Sequence, residues 1–130
     1  MPTKFQTGHN PSSHVKAPDG SEIRLFHEVK GGGLSECTLA PGLTSSSISH
    51  RSVEEIWYFT EGSGLVWRQQ GDVEETVKVE RGVSLTIPKH TKFQFRNTGK
   101  KQLKFIISTM PPWPGQAEAK PEVGPWPTSF

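Results

Sequence analysis

The chain is poor in cysteine and has no long apolar run. Cys37 is the single cysteine among 130 residues, so neither an intrachain disulfide nor a cysteine zinc site can form. This usage is typical of a reducing cytoplasm, which is the location we predict. Residues 1–18 lack the apolar segment of a signal peptide, and the apolar stretches elsewhere are far too short to cross a bilayer. We therefore expect no membrane partner.

Clusters of basic residues are also lacking. The formal net charge is +2, and the longest run of Lys or Arg is the pair Lys100–Lys101. Nucleic-acid-binding proteins usually carry a basic stripe or patch, so we expect no nucleic-acid partner. A chain of this length is most simply one domain with a modest hydrophobic core.

What the chain does have is a regular succession of short β-type runs. Apolar residues alternate with polar ones at Val83, Leu85 and Ile87, and again at Leu103, Phe105 and Ile107. Glycine-rich and proline-rich turn signals separate these runs at short intervals. This pattern predicts an all-β sandwich or barrel over residues 21–110, preceded by an N-terminal arm over residues 1–20.

Residues 111–130 differ in composition from the barrel region. They contain six prolines, and because proline lacks a backbone donor, this segment cannot form a central strand. The composition is compatible with a disordered tail. Trp113 and Trp126 instead favour an extended strap held against the barrel, which is our prediction.

The spacing of several residues resembles the two motifs of the cupin superfamily. The resemblance is carried by Gly42, Ile48, His50, Glu55 and Gly62, and then by Gly82, Pro88, Phe93 and Asn97. It implies a double-stranded β-helix, or jelly-roll barrel, with a metal-binding mouth. His50 and Glu55 fall on two of the family's four ligand positions. Ile48 and Phe93 occupy the other two and cannot coordinate a metal.

A metal at this mouth would need a third ligand. His27 lies two residues after Leu25 and four after Ile23, so in a regular strand its side chain would point to the same face as theirs. His90 occupies a glycine position of the second motif. Either histidine could complete a set with His50 and Glu55, although a half-buried His27 and a loop His90 are the simpler expectations. Imidazole and carboxylate ligands suit Fe, Ni, Mn or Zn. The sequence leaves the cofactor open between one such divalent ion and none.

Without a metal, His50 and Glu55 still suit acid–base chemistry. A glutamate inside an apolar barrel has a raised pKa, unless it forms a charge-assisted pair with His50. A group that titrates near ambient pH is an effective proton donor or acceptor. The predicted pocket for a mostly apolar small-molecule ligand is lined by Ile48, Trp57, Phe59, Phe93 and Phe95. Arg24 and Arg68 would hold an anionic ligand if they face inward, and are surface charges otherwise.

Three functions remain open from the sequence. The first is a small-molecule enzyme or binding protein that uses His50 and Glu55 for isomerase, cyclase or lyase chemistry. The second is a metal-dependent, dioxygenase-like cupin. The third is a non-catalytic, ligand-sensing or structural dimer. A homodimer is also suggested by Ile56 and Tyr58, which share the outer face of one strand and call for a cover, either a partner subunit or the strap.

Overall fold

The computed structural model describes residues 4–130, and the strands in this part of the chain pair antiparallel. The strands are β1 (Val15–Lys16), β2 (Glu22–Val29), β3 (Gly32–Leu39), β4 (Ile48–His50), β5 (Glu54–Glu61), β6 (Ser63–Gln70), β7 (Val73–Glu80), β8 (Ser84–Ile87), β9 (Lys92–Asn97), β10 (Leu103–Met110) and β11 (Ala119–Pro121). One turn of 3-10 helix, Gln116–Glu118, precedes β11.

The strands form two sheets that enclose the core. One sheet has the order β1-β2-β3-β10-β5-β8, and the other has the order β11-β4-β9-β6-β7. The crossing of strands between the two sheets is that of a jelly-roll, so the predicted all-β fold is confirmed. Within residues 4–130, no helix has the length and apolar character needed to span a membrane.

The alternation in the sequence decides which side chains face inward. In β10, Leu103, Phe105, Ile107 and Thr109 are all buried, whereas the residues between them are partly exposed. Because strand neighbours point to opposite faces, this places every second residue in the core.

The same rule applies to β5, where Ile56 and Tyr58 remain 48% and 49% exposed. The strap does not cover them, because β11 pairs with β4 at the edge of the other sheet. The alternative that the strap covers this face is therefore wrong. The homodimer stays a prediction.

An aromatic cluster fills one end of the space between the sheets. The ring centroid of Phe105 lies 4.5 Å from that of Trp57 and 4.6 Å from that of Phe59. Phe95 packs edge-on against both Trp57 and Phe105. These rings bury large apolar areas and contribute strongly to stability. Towards the other ends of β5 and β10, at Glu55 and Thr109, the inward-facing side chains become polar.

The C-terminal segment lies along the five-stranded sheet. Pro121 sits in the edge strand β11. Its missing N–H therefore does not interrupt the hydrogen bonding between central strands. Further along, the Gln94 side chain donates to the carbonyl oxygen of Trp126 and accepts from its N–H. Arg96 lies over the Trp126 indole, 5.4 Å from the ring centroid. Backbone pairing and side-chain contacts thus both hold this segment to the barrel.

The Gly62 turn shows why one motif position requires glycine. Gly62 has a φ of 81°, in the left-handed region that glycine tolerates best. A Cβ at this position would also collide with the carbonyl oxygen of Gln102. The turn between β5 and β6 therefore depends on glycine for both its conformation and its packing.

Candidate functional site

A cavity of about 330 Å³ lies between the two sheets. Its walls are mainly aromatic and aliphatic, and four of the five predicted pocket residues line it: Ile48, Trp57, Phe93 and Phe95. Phe59 is not on the wall, because it is packed against Phe105 deeper in the core. Ile48 and Phe93 are direct cross-strand partners of β4 and β9, so the two non-coordinating residues form one continuous apolar surface.

His50 and Glu55 both line this cavity, from different sheets. His50 ends β4 of the five-stranded sheet, and Glu55 lies near the start of β5 in the six-stranded sheet. Their side chains form neither a hydrogen bond nor an ion pair with each other. The charge-assisted pair that the sequence left open is therefore not formed, and each of the two side chains lines the cavity without contacting the other by a hydrogen bond.

Glu55 is a buried carboxyl with both oxygens oriented by neighbours. Its Oε1 accepts a hydrogen bond of 2.9 Å from Trp57 Nε1, and its Oε2 accepts one of 2.8 Å from Thr109 Oγ1. Burial raises the pKa of Glu55 to about 7, and the two hydrogen bonds and the neighbouring acids modify this only in part. The raised pKa predicted for a glutamate in this barrel agrees in direction, and the cause is the desolvation of the charged form.

His50 is buried to a similar degree, but no group in the described part of the chain forms a hydrogen bond with its Nδ1. Its ring packs edge-on against Phe93 and Trp113, with centroid distances of 5.1 and 5.3 Å. Burial lowers the pKa of His50 to about 4, although the Glu118 carboxylate acts in the opposite direction. The imidazole is therefore neutral at pH 7, and within residues 4–130 its Nδ1 atom is buried without a hydrogen-bond partner.

Residues of the strap and the N-terminal arm complete the cavity wall. Trp113, Gly115 and Gln116 contribute from the strap, and residues 15–19 contribute from the arm and β1. Glu118 fixes the strap beside His50, because its carboxylate accepts hydrogen bonds from the backbone N–H groups of Ser52 and Val53 and from the Ser52 hydroxyl. Burial raises the pKa of Glu118, but these hydrogen bonds outweigh that effect and hold it below its ordinary value.

Sequence reasoning missed several polar residues of the cavity, among them the buried Asp19, Cys37 and Thr109. Thr109 lies directly opposite Glu55 in the sheet, and it continues the inward parity of Phe105 and Ile107, so the alternation could have identified it. Cys37 has the parity of Leu39 on β3, which gives the same signal. No periodic pattern marks Asp19, because it lies in a turn whose burial depends on the assembled fold.

Asp19 is buried, and within residues 4–130 only one of its two carboxylate oxygens accepts hydrogen bonds. One carboxylate oxygen, Oδ1, accepts hydrogen bonds from the N–H and the hydroxyl of Ser21, at 2.9 and 2.6 Å. Burial raises the pKa of Asp19, whereas the two hydrogen bonds lower it by less. Asp19 and Glu55 also raise the pKa of the buried Cys37 thiol, after the larger effect of burial. Two buried carboxyls, Asp19 and Glu55, thus line one mainly apolar cavity.

Neither candidate third metal ligand lies at the site. A β-bulge between Leu25 and Glu28 shifts the register of β2, and His27, which lies at this bulge, is exposed and does not line the cavity. His90 is exposed in the turn after Pro88, and only its backbone N–H contacts His50, at the carbonyl oxygen. Within residues 4–130, no three His, Cys, Asp or Glu side chains are grouped as a metal site. The available residues therefore do not fit the metal centre of the resembled motif.

The two arginines considered as anion holders are also engaged elsewhere. Arg24 donates to the carbonyl oxygen of Pro11, and Arg68 forms an ion pair of 2.6 Å with Glu75. Neither side chain lines the cavity. The idea that arginine binds a ligand carboxylate here is therefore wrong.

The His90 turn gives a first testable prediction. His90 has a φ of 70°, and a residue with a Cβ loses roughly 1–2 kcal/mol in the left-handed region. Glycine removes this strain but makes the unfolded chain more flexible. We expect His90→Gly to raise the free energy of unfolding by about 0.5 kcal/mol, measured by urea denaturation. His90→Ala, which keeps the Cβ, is the matched control, and a loss of stability in the glycine variant would contradict the prediction.

Comparison with known proteins agrees with this architecture. Residues 35–109 match a family model described as a cupin domain. An uncharacterized protein of Methanocaldococcus jannaschii is 33% identical over 101 residues, which cover 73% of this chain and 77% of that protein.

Two solved structures share the fold at low sequence identity. The capsular polysaccharide assembling protein CapF from Staphylococcus aureus superposes with a TM-score of 0.69 at 16% identity, over 85% of this chain. This chain spans only 34% of the length of CapF. A predicted oxalate decarboxylase from Thermotoga maritima superposes with a TM-score of 0.63 at 17% identity, over 83% of this chain and 98% of that protein.

Proposed function

The chain belongs to the cupin family, and on that premise we propose that its cavity binds a small, mostly apolar molecule on which Glu55 transfers a proton. The observation that carries the proposal is the environment of Glu55. A carboxyl in an apolar cavity, with a pKa of about 7, is present in both its acid and its base form at neutral pH. Such a group can act in either direction of a proton transfer.

The rest of the cavity supports this chemistry. Trp57 and Thr109 fix the orientation of the Glu55 carboxyl, which reduces the reorganisation needed when a proton moves. His50 provides a second, neutral polar group on the opposite wall, with a free nitrogen. The reactions that need only these groups are isomerisation, cyclisation and elimination, in which a proton leaves one atom and the electron pair forms a new bond.

The size of the cavity supports a binding role over a purely structural one. A volume of about 330 Å³ lies at the lower end of the range of roughly 300–1,000 Å³ that is usual for ligand sites. A structural cupin without a ligand would be expected to fill this space with side chains. The alternative is binding without turnover, as in a ligand sensor. The experiment below distinguishes it from catalysis by measuring proton transfer and ligand binding separately.

Proton transfer by Glu55 can be tested with 5-nitrobenzisoxazole, a neutral aromatic probe. A base removes the proton from its C3 carbon, the N–O bond breaks, and a coloured cyanophenolate is released. We expect kcat/KM to rise with pH through about 7, because the carboxylate is the active form. Glu55→Gln is expected to lower kcat/KM by about 100-fold or more.

Glu122→Gln provides the control, because Glu122 binds Ser49 from the strap and does not line the cavity. Its kcat/KM should equal that of the unmodified chain. Equal rates in the Glu55→Gln variant, or a rate without an inflection near pH 7, would show that Glu55 is not the base. Binding of the neutral indole alcohol tryptophol, followed through the Trp57 indole N–H resonance, tests the cavity independently of catalysis.

A further inference from the structure

The cavity has two buried acidic side chains and no basic side chain paired with either of them, and this composition indicates what kind of ligand it takes. Asp19 and Glu55 both line the cavity and are each no more than 7% exposed. Buried carboxyls in proteins are paired with a cation, fully hydrogen-bonded or held protonated, because an unpaired buried charge is costly. A bound ammonium group would replace the proton as the partner of these two carboxyls. Neither residue forms an ion pair within the described part of the chain.

No side chain of the cavity supplies the missing positive charge. His50 is neutral at pH 7 because of its burial. Among the described residues that line the cavity, Lys16 is the one lysine or arginine, and its ammonium lies over the Phe130 ring, 5.3 Å from the centroid. Arg24 and Arg68 bind elsewhere. An anionic ligand would therefore meet two acids and no dedicated partner.

The acceptors that remain free fit a hydrogen-bond donor with a positive charge. Asp19 uses Oδ1 for Ser21, and its other oxygen accepts no hydrogen bond from residues 4–130. Glu55 accepts one hydrogen bond at each oxygen, and a carboxylate oxygen can accept a second. The Nδ1 atom of His50, a residue that is 3% exposed, is buried without a partner. This unpaired nitrogen is an observation independent of the two acids.

The cavity walls add a further attraction for cations. Trp57, Phe93, Phe95, Phe105 and Trp113 all line the space. The faces of aromatic rings attract organic cations, and tryptophan does so best. Aromatic walls combined with carboxylates are suited to a ligand that is apolar over most of its surface and carries one positive charge.

We infer that the ligand of this cavity is a small organic amine, whose ammonium group binds between Asp19 and Glu55 while its apolar part packs against the aromatic walls. The inference rests on the proposed function, because it concerns the same cavity. It goes further by fixing the charge of the ligand and by assigning Asp19 to the binding site.

Three probes that differ in one terminal group test the inference. Tryptamine, tryptophol and indole-3-acetate share the indole ring and end in an ammonium, a hydroxyl and a carboxylate. Titrated at pH 8 into the full ¹⁵N-labelled chain, tryptamine should bind about tenfold more tightly than tryptophol, which corresponds to one charge-assisted interaction. Indole-3-acetate should bind most weakly of the three. The Trp57 indole N–H signal reports occupancy, because this group donates to Glu55.

Two isosteric variants test the two carboxyls. Asp19→Asn and Glu55→Gln should each weaken tryptamine binding by about tenfold and leave tryptophol binding within about twofold. Glu122→Gln, which removes a negative charge outside the cavity, should change neither. The comparison among the three probes in the unmodified chain needs no variant, so it stands even if a variant does not fold.

The outcomes separate this inference from the proposed function. If tryptophol or indole-3-acetate binds as tightly as tryptamine, the amine assignment is overturned while a binding cavity remains. If none of the three binds at millimolar concentration, the binding role and the amine assignment are both overturned. If tryptamine is preferred but Asp19→Asn has no effect on it, the role of Asp19 is overturned.

Discussion

Glu55→Gln is expected to stabilise the folded chain by about 3 kcal/mol at pH 8 and hardly at all at pH 4.5. The folded pKa of Glu55 is about 7, against an ordinary value of 4.5. Between these two values the folded state keeps the proton that the unfolded state has lost, so stability falls as pH rises. Above pH 7 the full cost of a buried carboxylate is present. Glutamine carries no such cost.

The measurement is the free energy of unfolding by urea at several pH values, taken as the difference between the variant and the unmodified chain. Taking the difference cancels the contributions of other titrating groups. Glu54→Gln is the matched control, because the neighbouring Glu54 is exposed on the opposite face of β5. Its effect should stay within about 0.5 kcal/mol. A Glu55→Gln effect that does not change with pH would contradict the burial argument.

His50 should show the opposite sign over nearly the same range of pH. Its folded pKa is about 4, against an ordinary value of 6.5. Between these values the unfolded state binds a proton that the folded state does not, so stability rises with pH. In the unmodified chain the two effects nearly cancel between about pH 4.5 and 6.5. The Glu55→Gln variant removes one of them, and its own stability should therefore rise across this range.

The second large effect is expected at the contact that fixes the strap. Glu118→Ala should lower the free energy of unfolding by about 3 kcal/mol, because it removes hydrogen bonds to a charged acceptor and leaves buried donors unpaired. Val53, one of the donors, is completely buried. The contact also depends on pH, because the pKa of Glu118 in the folded chain lies below its ordinary value. The stabilisation by Glu118 is therefore fully present above the ordinary pKa and is lost as pH falls through the pKa of the folded state.

Glu122→Ala is the control for this contact. Glu122 also lies in the strap and also accepts from a serine, but it accepts one hydrogen bond of 2.8 Å, from Ser49 Oγ in β4. Its loss should cost about 1 kcal/mol or less. Hydrogen exchange adds a local measurement, because the amides of Ser52 and Val53 should exchange faster in Glu118→Ala and not in Glu122→Ala. Equal effects of the two variants would show that Glu118 does not fix the strap.

Much of the barrel could be predicted from alternation and from the motif spacing. Strand parity placed Glu55, Trp57 and Phe59 on one face, and these residues are all buried. The spacing also identified His50 and Glu55 as inward-facing, and both line the cavity. These predictions succeeded because side-chain direction in a strand follows from local backbone geometry.

Predictions of side-chain direction from strand alternation failed where the backbone departs from a regular strand. The bulge in β2 moved His27 away from the face that its spacing indicated. His90 lies in a turn with a positive φ of 70°, and its imidazole is exposed. The position of neither residue could be obtained by counting, because a single irregular residue reverses the direction of those that follow.

The sequence by itself determined an all-β barrel of the cupin type, with an imidazole and a carboxyl directed inward and hydrocarbon at the two other ligand positions. Those properties depend on period-two alternation and on motif intervals, which are local. The tertiary structure alone decided that His50 and Glu55 lie on different sheets without pairing, that Asp19 joins the cavity, and that the strap covers His50. Each of these depends on contacts between residues distant in the chain, and local backbone preferences do not specify them.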